Sequence, residues 1–385
     1  MQSLLLSDET ASIWQSEFPI LRKKIHVANC SQSPQSKRVR EAINQYLNSW
    51  RLSGMDWDFW LNKVEKARSQ FARLINASPE EIAISTSASE ATSSIASALR
   101  FSNKRNRIVT TEAEFPTVAY AWLALQKFGY EVKFIPVRNG KIHLEDYEAL
   151  IDEDTRIVSA THVYYLNGFK QDIKSIVDLS HRYGAWVFVD AYQSLGTCEV
   201  DVKALDIDIL ISGNLKYLLG IPGIAFIYVK KEIALQLEPT VTGWFGQENP
   251  FSFNPKVLNY ASNSRRFETG TPPILNAFAA YAGLQIIHEV GTRLIEERIQ
   301  FLSKYTVEKA LGMKLNYVGP DKLEEKGAIT AIQVSQPYVI EQVLKEHNII
   351  ASARGNVIRI APHFFTTTAN IDKVLKELKS ILNKG

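Results

Sequence analysis

The chain has 385 residues, with 44 Lys or Arg against 41 Asp or Glu, a formal net charge of +3, and 45% hydrophobic residues. That is an ordinary globular balance, and it lacks the basic cluster or tail expected of a protein that binds nucleic acid or a membrane surface. The two cysteines, Cys30 and Cys198, cannot build a disulfide framework or a cysteine-rich zinc site, the histidines show no metal-ligand spacing, and no apolar run reaches the ~20 residues that span a bilayer.

The Leu4-Leu5-Leu6 patch at the start is followed at once by Asp8 and Glu9, which is wrong for a signal peptide. Together with the low cysteine usage this makes a cytoplasmic location the expectation. Helix patterns over residues 37–50 and 60–75 come next. Short apolar runs follow at 82–85, 107–110, 131–135, 156–160, 186–189, 207–211 and 225–229, with amphipathic helix patterns at 116–128 and 173–183 between some of them. Strands alternating with helices predict an α/β fold whose sheet is mostly parallel and covered on both faces. After Gly291 the character changes to a charged amphipathic helix over 292–310, a strand over 328–334, a helix over 337–347, a strand over 357–360 and a helix over 371–382. The expected organisation is a large domain over 26–290, a smaller α+β domain over 291–385, and an N-terminal segment, 1–25, packed on the smaller domain.

In open α/β sheets, ligands bind at the carboxyl ends of the strands, and several of these strands end in residues with chemistry to offer. Lys216 lies between two apolar strands, in Asp208-Ile-Leu-Ile-Ser-Gly-Asn-Leu-Lys216. A buried, unpaired ammonium is costly, so this is a candidate amine nucleophile of the Schiff-base type. The plainer reading is a strand-end lysine whose head reaches water. Asp190 closes the strand at 186–189 and can pair with a protonated pyridine nitrogen, cap a turn, or pair with a structural Arg or Lys. Gln193 follows three residues later. The run Thr86-Ser-Ala-Ser-Glu90 lies at a strand-to-helix turn, where free N–H groups and hydroxyls suit a phosphate but also make an ordinary helix cap. Phe115 is a candidate ring platform or a core residue. Arg359 stands inside an apolar strand and needs a carboxylate, either a substrate's or an internal Asp or Glu. No dinucleotide fingerprint and no P-loop pattern is present.

Seven motifs in order resemble those of the fold-type I pyridoxal-phosphate enzymes. They are Ser87-Ala-Ser-Glu90, Glu114-Phe-Pro-Thr117, Thr161-His-Val163 with Gly168, Val189-Asp-Ala-Tyr-Gln193, Lys216-Tyr-Leu-Leu-Gly220, Arg266-Phe-Glu-Thr-Gly-Thr-Pro272 and Ile358-Arg-Ile-Ala-Pro362. Within that fold type the similarity is to the class V aminotransferase group, which includes cysteine desulfurases, kynureninases and isopenicillin N epimerase-like proteins, and it runs from about residue 25 to 380. The resemblance implies that Lys216 carries pyridoxal 5'-phosphate as a Schiff base and then shuttles a proton, and that Asp190 pairs with the pyridine nitrogen, with Gln193 near the phenolic oxygen. It casts Ala88 (through its backbone) and Ser89 as phosphate ligands, Phe115 as the stacking ring and Arg359 as the anchor of the substrate carboxylate. Trp244, in Gly243-Trp-Phe-Gly-Gln247, resembles the kynureninase loop that borders the cofactor. Thr271 takes the role of the loop that reaches the neighbouring subunit's phosphate, which implies a homodimer with its active site at the interface.

Three departures matter. Arg354 and Arg359 are separated only by Gly355-Asn-Val-Ile, leaving no place for the desulfurase loop cysteine. Leu215 stands where relatives carry a phosphate-binding His or Tyr, so Asn214 or another group must substitute. Gln193 stands where kynureninases carry His. The leading expectation is an aminotransferase acting on a small amino acid and a keto acid. A lyase (kynureninase-like or cleaving the C–S bond of cysteine or cystine) or an epimerase is the alternative, and a non-catalytic cofactor-binding protein is the outsider. Trp50, Trp57 and Trp60 read as packing residues, or as lining a pocket or a dimer interface.

Overall fold

A computed structural model describes residues 6–102 and 104–384, so Leu4 and Leu5 of the N-terminal patch lie outside the described residues. The apolar runs assemble into a seven-stranded sheet. Its order in space is Ile82–Ser85, Ala225–Val229, Ile209–Gly213, Trp186–Asp190, Thr155–Thr161, Arg107–Thr111 and Glu131–Ile135. The last five pair in parallel, while Ala225–Val229 runs antiparallel to both its neighbours. Every residue of Ile209–Gly213 and Ala225–Val229 is buried, because helices cover both faces of such a sheet; this is why these strands read as continuous apolar runs.

Register then sets the site. Asp190 pairs with Thr161 on one side and Ile211 on the other, so the carboxyl ends of three neighbouring strands lie level at one edge. The strand expected at 207–211 starts two residues late. Asp208 instead accepts a bond from Val187 N at 2.7 Å and bonds His181 Nε2 at 2.8 Å.

Helices begin where side chains satisfy their free N–H groups: Ser36 accepts from Val39 N, Ser87 from Glu90 N and Asp172 from Ser175 N. Helix Ile274–Val290 has no polar stripe. It is apolar on most sides because it lies in the core, packed on helices Lys37–Ser53 and Trp57–Leu74. Trp60 belongs to this packing and donates from Nε1 to Ser49 Oγ at 2.8 Å, with Trp57 against its edge; Trp50 is exposed.

Gly291, at φ +91°, separates helix Ile274–Val290 from helix Thr292–Gly312. Beyond it a four-stranded antiparallel sheet forms, in the order Ser352–Arg354, Val357–Ile360, Thr330–Gln333, Tyr317–Val318. The N-terminal residues lie against this part of the chain. Ile25–His26 pairs in parallel with Ile349–Ile350, Gln15 Nε2 donates to Phe365 O at 2.9 Å, and Asp8 pairs with Arg298. Among the described residues no helix is long and apolar enough to cross a membrane.

Candidate active site

A cavity of about 360 Å³ opens at the carboxyl edge of the large sheet. Ser87–Ser89, Phe115, Thr161, Asp190, Lys216 and Arg359 all line it, which brings together residues from one end of the chain to the other.

Lys216 follows strand Ile209–Gly213 directly. Its ammonium is held 3.9 Å from the centroid of the Tyr192 ring and 5.8 Å from that of Phe115. Tyr192 can lie so close because residue 213 is glycine: a Cβ there would fall 2.1 Å from the Tyr192 ring. Removal from water lowers the Lys216 pKa to about 8; Asp190 and Cys30 oppose this, and Arg359 and Arg354 add to it. A fraction of the amine is therefore unprotonated near neutral pH.

Asp190 is buried, and desolvation raises its pKa, against a bond from Tyr192 N at 2.9 Å and the charge of Lys216. Burial thus pushes both members of the Lys216–Asp190 pair toward neutrality. A cationic ring nitrogen against Asp190 would remove that penalty. Behind it lies Glu114, which burial, and then the charge of Asp190, hold well above the usual carboxylate range; Ser159 Oγ donates to it at 3.0 Å. A neutral Glu114 leaves Asp190 as the carboxylate that takes up the negative charge.

Arg359 is almost fully buried. Its guanidinium donates to Tyr165 O at 2.8 Å, Ser31 Oγ at 2.9 Å and Ser352 Oγ at 2.6 Å, all neutral oxygens. Among the described residues no Asp or Glu forms an ion pair with it, and its Nε has no partner. A buried cation facing a cavity without its own anion is a receptor for one.

At the other end of the cavity the helix Ala88–Ala98 presents its N-terminus. Ser89 Oγ lies 3.1 Å from Thr117 Oγ1, so two hydroxyls and a helix N-terminus face one spot. Desolvation pushes the carboxyl of Glu90 up, but bonds from Thr86, Ser85 and Thr269 outweigh it and hold the group below its ordinary value. Glu90 so braces the turn from within. Phe115 is not a core residue; it lines the cavity, edge-on to Tyr165 at 5.3 Å. Gln193 donates from Nε2 to Cys30 O at 3.0 Å and keeps a buried Oε1 with no protein partner.

Seven of the residues singled out from the sequence therefore line one cavity: Ala88, Ser89, Phe115, Asp190, Gln193, Lys216 and Arg359. Trp244 and Thr271 do not. Trp244 packs among Phe245, Phe251 and Phe253, and Thr271 is exposed. Asn214, offered as a stand-in phosphate ligand, is fully buried away from the cavity lining. Its amide fills the space over Gly220, where a Cβ would lie 1.5 Å from Oδ1, and Ser89 with Thr117 is the better hydroxyl pair for an anion. Sequence reasoning missed Cys30, Ser31, Tyr165 and Arg354 in the lining. No local pattern marks the first three, since they reach the cavity only through long-range packing. Arg354 was recognised for its spacing to Arg359 but was not placed in the site.

A reactive amine, a strand-end carboxylate, a ring platform, a helix N-terminus with two hydroxyls and an orphaned buried amide oxygen fit pyridoxal 5'-phosphate. This fold and this site define a pyridoxal-phosphate enzyme of fold type I. The sequence comparisons carry that further: the model for aminotransferase class-V matches residues 28–370, and the chain belongs to that family. It is 38% identical over 361 residues to the uncharacterized aminotransferase YcbU of Bacillus subtilis (strain 168), covering 94% of this chain and 95% of that protein. It is 26% identical to a kynureninase of Geobacillus thermodenitrificans (strain NG80-2), covering 96% and 91%. In structure it is similar to the apo cysteine desulfurase of Thermococcus onnurineus NA1, with a TM-score of 0.87 at 24% identity, covering 96% of this chain and 98% of that one.

Proposed function

We propose that this pyridoxal-phosphate enzyme is an aminotransferase for a small amino acid and a keto acid. One observation carries the reading: Arg359, buried without an acidic partner, faces the same cavity as Lys216 and Asp190. A substrate held there by its α-carboxylate would present its Cα to the cavity that Lys216 also lines.

When bound, the cofactor supplies an electron sink for charge developing at Cα. The residues do the rest. Arg359 binds and orients the carboxylate, and Lys216, with its pKa near neutrality, takes the α-proton and returns one. Asp190 would pair with the ring nitrogen and favour its protonated form. Phe115 would offer the ring a platform, and the Ala88–Ala98 helix N-terminus, with Ser89 and Thr117, would hold the phosphate. The desulfurase loop cysteine has no counterpart between Arg354 and Arg359. Cys30 lines the cavity but is nearly fully buried, its carbonyl held by Gln193.

The test is a scan of amino acids against the loaded enzyme, following the absorption of the bound cofactor and the appearance of pyridoxamine phosphate. An amino donor and keto acceptor that never yield pyridoxamine phosphate refute the aminotransferase reading. Release of anthranilate from kynurenine would establish instead the lyase alternative, which rests on the kynureninase relative.

The same reading makes the protein a cytoplasmic homodimer, in keeping with its low cysteine content. The exposed aromatic residues Phe251 and Phe253 and the exposed Thr271 support the dimer. Sedimentation as a monomer at micromolar concentration would refute it.

A further inference from the structure

Three residues after Ile360, the last of the strand that carries Arg359, the chain reaches His363, whose side chain is fully buried. Backbone groups use both nitrogens of its ring. Phe364 N–H donates to Nδ1 at 2.8 Å, and Nε2 lies 3.0 Å from Tyr217 O. A backbone N–H can only donate and a carbonyl can only accept, so the ring proton sits on Nε2 and the imidazole is neutral. Desolvation, only partly offset by the bond to Tyr217 O, keeps the His363 pKa down at about 4, in agreement with that state. The ring is stacked on Phe365 with centroids 5.0 Å apart, and His363 N donates to Thr366 Oγ1 at 3.0 Å. His363 is therefore rigid where it meets Tyr217.

Tyr217 is the residue after Lys216, and the stretch around the lysine is held at three successive carbonyls. Ser33 N donates to Leu215 O and Leu219 N to Lys216 O, both at 3.1 Å, and His363 takes Tyr217 O. Leu219 sits in the left-handed region at φ +62°, a backbone state that persists only where the surroundings impose it.

We propose that His363 is a positioning residue for the Lys216 amine, tying the lysine's loop to the C-terminal segment that carries Arg359, so that the proton shuttle and the carboxylate anchor keep one geometry. The inference rests on the reading of Lys216 as the reactive amine. Without the Nε2–H bond, Tyr217 O is a buried carbonyl with no partner, and it is satisfied only if the loop shifts or water enters. Either change solvates the neighbouring amine and favours its charged form. The groups that face Lys216 are Asp190 from its strand end, Cys30 from the N-terminal segment, Arg354 and Arg359 from the C-terminal strands, and the rings of Tyr192 and Phe115. Substitution of His363 removes none of them, so a change in the lysine reports the loop.

The experiment uses the full-length protein. Borohydride treatment of the enzyme loaded with pyridoxal phosphate, followed by peptide mapping, shows whether the cofactor is fixed to Lys216. After the cofactor has been stripped, the pH dependence of Lys216 acetylation is read by mass spectrometry, alongside the melting temperature, for the unmutated protein, His363→Phe and His363→Gln. The expected midpoint is near pH 8 without mutation. His363→Phe should raise it by about one unit, roughly a tenfold loss of free amine near neutral pH. His363→Gln, whose amide N–H reaches the same carbonyl, should restore it. A melting temperature that falls with an unmoved midpoint means that His363 only packs, and overturns the proposal. A measurement on the unmutated protein needs no variant to fold: the ¹⁵N ring signals of His363 should show the Nε2–H tautomer near neutral pH, and an imidazolium or an Nδ1–H ring overturns the proposal. A cofactor fixed to another lysine refutes the Lys216 reading itself, whatever the variants do.

Discussion

Among the described residues, two lysines are buried deeply enough to lose most of their preference for charge. Desolvation brings Lys216 to about pH 8 and Lys326 to about pH 7. Their surroundings differ entirely. Lys326 donates to Ser303 Oγ at 2.5 Å, Thr330 Oγ1 at 3.0 Å and Gly327 O at 3.2 Å, three neutral oxygens that match its three protons. It lines no cavity. Lys216 has an aromatic face, a carboxylate on a neighbouring strand and open space in front of it. A lowered pKa makes a free amine, but access and unfinished bonding make a nucleophile. The same contrast separates two arginines. Arg68 is buried against Glu268 at 2.6 Å and is closed, whereas Arg359 is buried against neutral oxygens and is open to an anion.

The sharpest way to break this contrast is to remove each lysine in turn. Lys216→Ala should lower turnover by about 10⁴-fold or more and abolish borohydride fixation of the cofactor, while Lys326→Met stays active and fixes it normally. A cofactor found on Lys326 would reverse the assignment. Next in size, Asp190→Asn should cost on the order of 10³-fold in turnover, because the ring nitrogen loses the charge that holds its proton. Stopped-flow measurement with a good amino donor would show it; unchanged rates would mean that Asp190 only caps its turn. Arg359→Leu tests the open arginine against the closed one. It should cost about 10²-fold in kcat/KM, carried by KM, as the substrate carboxylate loses its partner.

The last expected effect is on stability and not on turnover. Lys326 binds a proton less readily folded than unfolded, so between about pH 7 and the ordinary lysine value of 10.5 the unfolded chain holds the extra proton. Stability should therefore rise with pH through that window by about 1.4 kcal/mol per unit from this group, and below it the full penalty stays constant. Lys326→Met should flatten that slope in denaturant titrations at two pH values, and an unchanged slope would show that Lys326 is solvated.

Much of the large sheet was readable because burial on both faces leaves an unbroken apolar run, as in Trp186–Asp190 and Ala225–Val229. Helix Ile274–Val290 was not, since a helix apolar on nearly every side has no period to detect. Asn214 misled for a related reason: its place beside Lys216 in sequence suggested a ligand, while packing against Gly220 turned its amide into the core. Cys30 and Ser31 gave no local signal at all.

What the sequence determined by itself was local. The strand-helix alternation, and the placing of Asp190 and Lys216 at strand ends, follow from patterns a few residues long, and they led to the cofactor. Tertiary structure alone decided which buried charge is satisfied. Arg359 meets Ser31 across 328 residues and Tyr165 across 194, and among the described residues no acid arrives to close it. Whether a buried cation is structural or receptive depends on partners brought from elsewhere in the chain, and no pattern around the residue records them.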